Sequence, residues 1–239
     1  MFCVGTYHWG SLAGISCRCA LFAKFVFFAI AMVLGASPFA SNALAQPSPP
    51  DVTQEAAPAI GLDQTAALQL SQSVIGKTID DFTLLDREGR PVRLSQYRGK
   101  PLVVSFIYTG CFQVCPLTTR SLQSAVEAGK GVYGTSQFNV ISIGFNQPSD
   151  SPQALKSFAR QYRIDTPNWD FLSPHEKIVE PLTRQFGFSY VATPAGFDHI
   201  LQATLLDAEG RVYRQIYGTD LTPESIGEPI RQLMNNAPV

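Results

Sequence analysis

The sequence predicts an α/β fold in which a central mixed β-sheet is flanked by helices, with an extra hairpin at its N-terminal end. Three observations support this prediction. Two apolar, β-branched runs, 102–108 and 138–145, are typical of strands buried on both faces. Stretches with the periodicity of amphipathic helices follow both runs. Two pairs of short apolar segments, each joined by a polar turn that contains glycine, predict β-hairpins.

The predicted elements follow a recognisable order. Ser151 and Pro152 combine an N-cap residue with a proline of the first helical turn. Residues 173–176 resemble a capping box, and we expect Pro181 to kink or divide the helix that follows. This order is that of a thioredoxin-like α/β sandwich. In chain order the elements are a hairpin of 81–86 and 92–94, a strand over 102–108, a helix over 116–128, a strand over 138–145, helices after 151 and 173, a hairpin of 201–206 and 212–217, and a helix over 223–235.

The N-terminal residues 1–45 have the pattern of a secretory signal peptide. They carry Arg18 and Lys24 without any acidic residue, then an apolar run over 25–36, then an Ala-Leu-Ala end at 43–45. The run is shorter than the roughly 20 residues that a spanning helix needs. We therefore expect cleavage after residue 45 and export to the periplasm, with an uncleaved inner-membrane anchor as the alternative.

The rest of the chain is predicted to be a flexible linker and one domain. Residues 46–66 are rich in proline, alanine and polar residues, which is typical of a linker, and 67–239 form the domain. Lys and Arg number 18 against 19 Asp and Glu, so no basic surplus exists for binding nucleic acid. Long apolar stretches occur only near the N-terminus, which excludes a polytopic membrane protein.

Two cysteines remain after signal removal, Cys111 and Cys115. In an oxidising compartment they form a disulfide, a redox pair or part of a metal site. They follow a buried strand at the start of a helix, where α/β sheets place their chemistry. Pro116 fits the first helical turn, and the positive helix end is expected to lower the thiol pKa. A purely structural disulfide is the weakest option, because a disulfide that closes so short a loop removes little conformational entropy from the unfolded state and stabilises the fold poorly.

A late histidine is the candidate third ligand. His199 lies at the entry to the strand predicted over 201–206. In a thioredoxin-like fold this strand follows the loop that faces the cysteine site. His175, in contrast, lies at a predicted helix start. Thiolates select Cu(I), and an added imidazole also allows Cu(II). Two cysteines and one histidine also form a known zinc set. Asp198 is a candidate to orient the imidazole or tune the site from outside the ligand set.

The motifs resemble those of the SCO/SenC family, thioredoxin-like copper-binding factors of cytochrome c oxidase assembly. The matching segments are 108–116 (YTGCFQVCP), 168–172 (NWDFL) and the Asp198-His199 pair, within roughly 71–233. The resemblance implies that Cys111, Cys115 and His199 bind a copper ion, Cu(I) or Cu(II). It also implies delivery of copper to the binuclear copper centre of the oxidase, or reduction of the cysteines of that centre.

The resemblance also implies the partners of the protein. They are the copper-centre subunit of cytochrome c oxidase or another copper recipient, with a copper donor or a thiol reductant protein as a further partner. Two positions depart from the family pattern: Phe112 stands where many members have proline, and the loop 144–150 has no acid before Asp150. A different loop beside the site indicates a different recipient.

Two alternatives belong to the class of thiol enzymes. A periplasmic thiol–disulfide oxidoreductase would use the Cys111 and Cys115 pair, but redox thioredoxins have two intervening residues and this chain has three. A thiol peroxidase would need polar activating residues before its reactive cysteine, and 108–110 (YTG) does not supply them. The leading interpretation is therefore a metallochaperone without catalytic turnover.

Overall fold

The structure of the protein is a computed structural model that describes residues 61–112, 114–134, 137–219 and 221–235. The predicted signal peptide, 1–45, and most of the predicted linker lie outside these ranges. The first described helix begins at Gln64, inside the predicted linker, where the Asp63 side chain accepts the Ala66 N–H at 3.0 Å as an N-cap. In the ranges described, no helix combines the length and apolar character needed to cross a bilayer.

The described elements are five α-helices and nine strands, with a short 3₁₀ turn at Leu94–Tyr97. In chain order they are α1 (Gln64–Ser73), β1 (Thr83–Leu85), β2 (Pro91–Arg93), β3 (Leu102–Ile107), α2 (Val114–Tyr133), β4 (Asn139–Gly144), α3 (Pro152–Gln161), β5 (Trp169–Leu172), α4 (Glu176–Gln185), β6 (Tyr190–Thr193), β7 (Gly196–His199), β8 (Gln202–Leu206), β9 (Val212–Tyr217) and α5 (Pro223–Met234).

Five strands form the central sheet, in the order β5-β4-β3-β8-β9. β3 and β5 both run parallel to β4, whereas β8 runs antiparallel to β3 and to β9. The predicted mixed sheet is therefore confirmed. The β1–β2 hairpin forms a separate small sheet, as predicted, and so does the β6–β7 hairpin. Because β3 and β4 are parallel neighbours, the chain segments that follow them lie at the same sheet edge.

The sheet is covered on both faces. All six residues of β3 are buried, which explains the continuous apolar run in its sequence. Its side chains alternate between the two faces. Val104 packs in a core cluster with residues of α1 and α4, whereas Val103 packs in a second cluster with residues of α2, α3 and α5. Tyr108 and the two cysteines belong to the first cluster.

The start of α4 differs from the sequence prediction. Its N-cap is His175, whose Nδ1 accepts the Lys177 N–H at 3.2 Å. Ser173 instead pairs with Leu85 of β1, so the predicted capping box is wrong: the serine is held by strand pairing. Pro181 lies inside α4 and does not divide it. The carbonyl that loses its donor, that of Lys177, lies at the exposed start of the helix.

Four of the described helices and strands have no counterpart in the prediction: α1, β5, and the two strands of the β6–β7 hairpin. The hairpin matters most for the site, because it changes the place of His199. This residue ends β7 and does not enter β8. Nearly every residue of these two strands is partly exposed, so neither strand has one buried and one exposed face. Their sequence therefore lacks the alternation of apolar and polar residues by which a strand with one buried face is recognised.

Candidate metal centre

Cys111 and Cys115 lie in the connection between β3 and the first turn of α2. The Cys111 N–H donates to the Tyr108 carbonyl at 3.1 Å, which closes a turn directly after the strand. The Cys115 N–H donates to Cys111 Sγ at 3.2 Å, and the two thiols also interact directly. Both side chains are buried, and their thiols are reduced rather than joined in a disulfide. The structure thus brings the two predicted sulfur ligands together.

Burial dominates the chemistry of the Cys115 thiol and raises its pKa well above the usual range. A smaller contribution from the backbone of Tyr108 opposes this rise in pKa. The lowered pKa expected at a helix N-terminus is therefore wrong for Cys115, because desolvation is the largest influence on the thiol in this buried turn. A metal ion that binds Cys115 at neutral pH has to displace its proton.

The chain around the buried thiols is exposed and apolar. Phe112, directly after Cys111, is 91% exposed, and Leu117, two residues after Cys115, is 58% exposed. Exposed apolar side chains that lie close together are typical of contact surfaces. Because Phe112 directly follows Cys111 in the chain, its exposed ring is available for contact with a partner that approaches this cysteine.

His199 offers one ring nitrogen to a ligand. Its Nδ1 lies 3.0 Å from the Ile200 carbonyl oxygen, which leaves Nε2 as the nitrogen that can bind a metal. Burial lowers the pKa of the imidazole, against smaller opposing effects of the Ile200 carbonyl and the Asp198 carboxylate. The neutral ring, the form that binds metals, is therefore favoured. The ring packs against aromatic rings at centroid distances of 5.5–6.4 Å, those of Phe188, Phe145 and Tyr108.

Asp198 ties the hairpin of His199 to the chain just before α1. Its Oδ2 accepts the Leu62 N–H at 2.8 Å. The Ile200 carbonyl, and not Asp198, lies beside His199 Nδ1. The carboxylate acts on the ring through its charge, which raises the pKa of the imidazole and partly offsets the effect of burial.

Cys115 and His199 line the same narrow cavity, of about 10 Å³. On its other side His199 borders an open cleft of about 420 Å³, which Val114 and Leu68 also line. In the part of the chain that the structure describes, no three His, Cys, Asp or Glu side chains are close enough to hold one metal ion. The thiols are therefore preassembled as a pair, and the imidazole stands near them without completing a three-ligand group.

A buried carboxylate holds the segment before the cysteines. Asp150 is fully buried, and its Oδ1 accepts the N–H and the hydroxyl of Thr109, both at 2.7 Å. Its Oδ2 accepts the Asn146 N–H at 2.8 Å. Gly144 makes room for this approach, since a Cβ there would lie 2.5 Å from Asp150 Cβ. Asp150 thus joins the loop after β4 to the residue two positions before Cys111.

We expect Asp150→Asn to lower the free energy of unfolding by about 1–3 kcal/mol. Both oxygens of Asp150 accept hydrogen bonds, whereas the amide of asparagine has only one accepting oxygen. Its NH₂ group, a donor, must therefore face another donor, either the Asn146 N–H or the N–H and hydroxyl of Thr109. Urea denaturation of the metal-free protein measures the change, with Asp165→Asn at an exposed position as the matched control. Equal unfolding midpoints for both variants and the parent protein would contradict the role given to Asp150.

Sequence reasoning missed two residues that contact the cysteine turn, Tyr108 and Asp150. Tyr108 ends an apolar run, so the strand pattern accounts for it as a core residue. Asp150 lies in a polar loop, where a solvated carboxylate is the ordinary interpretation. The only signal was position, since each follows one of two parallel strands that end at the same sheet edge.

Comparison with known proteins agrees with this architecture. A family model described as SCO1/SenC matches residues 72–235. The SCO1 protein homolog of Bacillus subtilis (strain 168) is 26% identical over 149 residues, which cover 61% of this chain and 76% of that protein. Among solved structures, Bradyrhizobium japonicum ScoI with copper bound is 24% identical, with a TM-score of 0.56, over 66% of this chain and 99% of that one. BsSco, a member of the Sco family of cytochrome c oxidase assembly proteins, is 24% identical, with a TM-score of 0.59, over 66% of this chain and 94% of that one.

Proposed function

Because the chain belongs to the SCO1/SenC family, whose model matches residues 72–235, we propose that it is an exported copper-binding protein serving cytochrome c oxidase. It delivers copper to the binuclear copper centre of the oxidase, or prepares the thiols of that centre. The observation that carries the proposal is the buried pair Cys111 and Cys115, with His199 on the same cavity as Cys115. Relatives described as copper-bound and as oxidase assembly proteins support it.

Copper is the substrate that suits this donor set. Two thiolates bind Cu(I), and the neutral imidazole of His199 extends the set to Cu(II). Because the three side chains do not form a metal-binding group in the structure, binding requires the β6–β7 hairpin and the cysteine turn to approach each other. A ligand set that closes around the ion also opens again, which suits a protein that passes its metal on.

The proposed partners follow from this chemistry. The recipient is the copper-centre subunit of the oxidase or another copper protein, and a copper donor or a thiol reductant restores the site. The exposed Phe112 lies where any of them would approach the sulfurs. We place the protein in the periplasm after cleavage of residues 1–45, or on the inner membrane if that segment stays attached.

A second function, thiol–disulfide exchange, is favoured by one observation. The Cys115 N–H donates to Cys111 Sγ at 3.2 Å, so both cysteines lie in one turn, where a disulfide between them would close a short loop. In that case the protein reduces a disulfide between cysteines of its target, and its own Cys111 and Cys115 are oxidised to a disulfide.

A copper titration of residues 46–239 with reduced thiols separates the two functions. We expect one tightly bound copper ion per chain, lost when both cysteines are alkylated. No copper retention, together with a readily reversible disulfide between Cys111 and Cys115, would reject the copper function and leave the oxidoreductase.

Copper binding should also release protons. Cys115 carries its proton at neutral pH because burial raises the pKa of its thiol, so copper has to displace it. We expect at least about one proton per chain on copper addition in weakly buffered solution, and an affinity that rises about tenfold per pH unit for each proton displaced. Calorimetry in buffers of different ionisation enthalpy measures the number. Binding without proton release would show that Cys115 is not a ligand.

A further inference from the structure

A recess with an excess of positive charge lies between α3 and the turn of the β1–β2 hairpin. Its volume, about 440 Å³, is in the range of pockets that hold ligands. Four basic and two acidic side chains line it, although acids slightly outnumber basic residues in the whole chain. We call this recess the basic cleft, and its charged residues are Arg87, Lys156, Arg160, Arg163, Glu88 and Asp165.

The charges of the basic cleft are only partly neutralised from within. Lys156 Nζ lies 3.4 Å from Glu88 Oε1, so one cation and one carboxylate form a pair. Among the residues that the structure describes, Arg160 and Arg163 have no carboxylate within ion-pair distance, whereas Arg184 on α4 pairs with a carboxylate one turn away. Two guanidinium groups are therefore available to an anionic ligand.

Arg163 is held in a backbone conformation that disfavours arginine. Its φ is 54°, and every other described residue with a positive φ is glycine. It follows the end of α3 in a Schellman motif, in which the Arg163 N–H donates to the Arg160 carbonyl at 3.0 Å and the Ile164 N–H donates to the Ala159 carbonyl at 2.9 Å. Glycine is the residue that suits this position best. Because strained residues cluster at functional sites, an arginine here indicates that the side chain has a use.

The basic cleft is connected to the exposed surface beside the cysteines. The guanidinium of Arg120 lies over the ring of Tyr162, the residue before Arg163, at 5.9 Å from the ring centroid. Arg120 is an exposed residue of α2, one helical turn after Leu117. Leu117 and Phe112 are the exposed apolar residues next to the two cysteines. A partner that covers them therefore lies close to the cations that lead to the basic cleft.

We propose that the basic cleft binds an acidic segment of a partner protein, whose carboxylates pair with Arg160 and Arg163. Guanidinium groups bind carboxylates through paired N–H···O bonds, and opposite charges speed the association of two proteins. A peptide also has backbone N–H groups to offer to Glu88 and Asp165, whereas the phosphates of a bilayer would meet these carboxylates with like charge. That this partner is the one that docks at the cysteines rests on the proposed function, whereas the binding of an acidic segment does not.

A labelled oligoglutamate peptide with blocked ends is the probe for this site. Fluorescence anisotropy measures its binding to the metal-free form of the protein used for the copper titration, and we expect the binding to weaken as salt is added. The double variant Arg160→Gln with Arg163→Gly should lower the affinity at least about tenfold. The matched control, Arg184→Gln with Arg231→Gln, removes the same charge from α4 and α5 and should keep the affinity of the parent protein.

Arg163→Gly alone separates an effect on the ligand from an effect on the fold. Glycine adopts a positive φ without strain, so the urea midpoint of this variant should be no lower than that of the parent protein. Its affinity for the peptide should nevertheless fall at least about threefold. A lower midpoint with an unchanged peptide affinity would mean that Arg163 is structural only, and would overturn its role in binding.

The remaining outcomes separate this proposal from the copper function. If the parent protein does not bind the peptide, or if the cleft and control variants weaken binding equally, the proposal is overturned. Binding to phosphatidylglycerol vesicles without binding to the peptide would also overturn it, because the cleft would then be a membrane contact. The cleft variant should keep the copper affinity of the parent protein. If the parent protein binds no copper, the copper function fails, and the peptide measurement alone still decides the role of the basic cleft.

Discussion

Cys115→Ser should reduce copper affinity at least about 100-fold, because it exchanges a thiolate for a hydroxyl that stays protonated and does not bind soft metals. Cys115 is buried in the first turn of α2, in contact with the other sulfur, so no further side chain takes its place without rearrangement of the turn. Competition with a copper chelator of known affinity measures the loss for Cu(I), and a matching Cu(II) chelator measures it for Cu(II).

The control for this variant has to bury a hydroxyl without touching a sulfur. Ala125→Ser does so, since Ala125 is buried on the same helix further from the cysteines. We expect its copper affinity to equal that of the parent protein. If Cys115→Ser retains the affinity of the parent protein, or if Ala125→Ser loses it equally, Cys115 is not a copper ligand.

His199→Ala should separate the two oxidation states of copper. We expect the affinity for Cu(II) to fall at least about 100-fold, because the two thiolates alone are a poor set for this ion, and the affinity for Cu(I) to fall less than about tenfold. The disulfide between Cys111 and Cys115 should still form, since His199 does not lie between the sulfurs. Both affinities are measured by chelator competition, and the disulfide by alkylation and mass spectrometry.

The chain offers a matched histidine for this experiment. His175 caps α4 at an exposed position, so His175→Ala should cost about 1 kcal/mol of stability and leave both copper affinities unchanged. An unchanged Cu(II) affinity in His199→Ala would remove the histidine from the ligand set. Equal losses in both histidine variants would point to a general effect of the substitution.

Much of the fold could be predicted because its core strands carry strong patterns. The run at 102–108 is apolar throughout because β3 is buried on both faces, and Ser151 caps α3 through its side chain as its sequence context indicates. The β6–β7 hairpin could not be predicted, because its strands are short and nearly every residue in them is partly exposed, so apolar and polar residues do not alternate. The predicted capping role of Ser173 was wrong, because this residue pairs with Leu85, and this long-range contact competes with the local capping pattern.

The same holds for the candidate site: features that depend on neighbouring residues in the sequence could be predicted, and features that depend on long-range contacts could not. The Cys111 and Cys115 pair could be recognised from spacing and from the strand before it. The raised pKa of the Cys115 thiol could not, because it depends on how deeply the turn is buried. The contact between the rings of Tyr108 and Phe197, 5.2 Å apart, joins segments about 90 residues apart, and only the folded chain brings them together.

X-ray absorption at the copper edge of the metal-loaded protein reports the atoms bound to copper, and it therefore tests whether Cys111, Cys115 and His199 are the ligands. We expect two sulfur neighbours and one imidazole nitrogen in the Cu(II) form, with one sulfur lost in Cys115→Ser and the imidazole lost in His199→Ala. A copper ion bound only by oxygen and nitrogen atoms, unaltered in either variant, would contradict it.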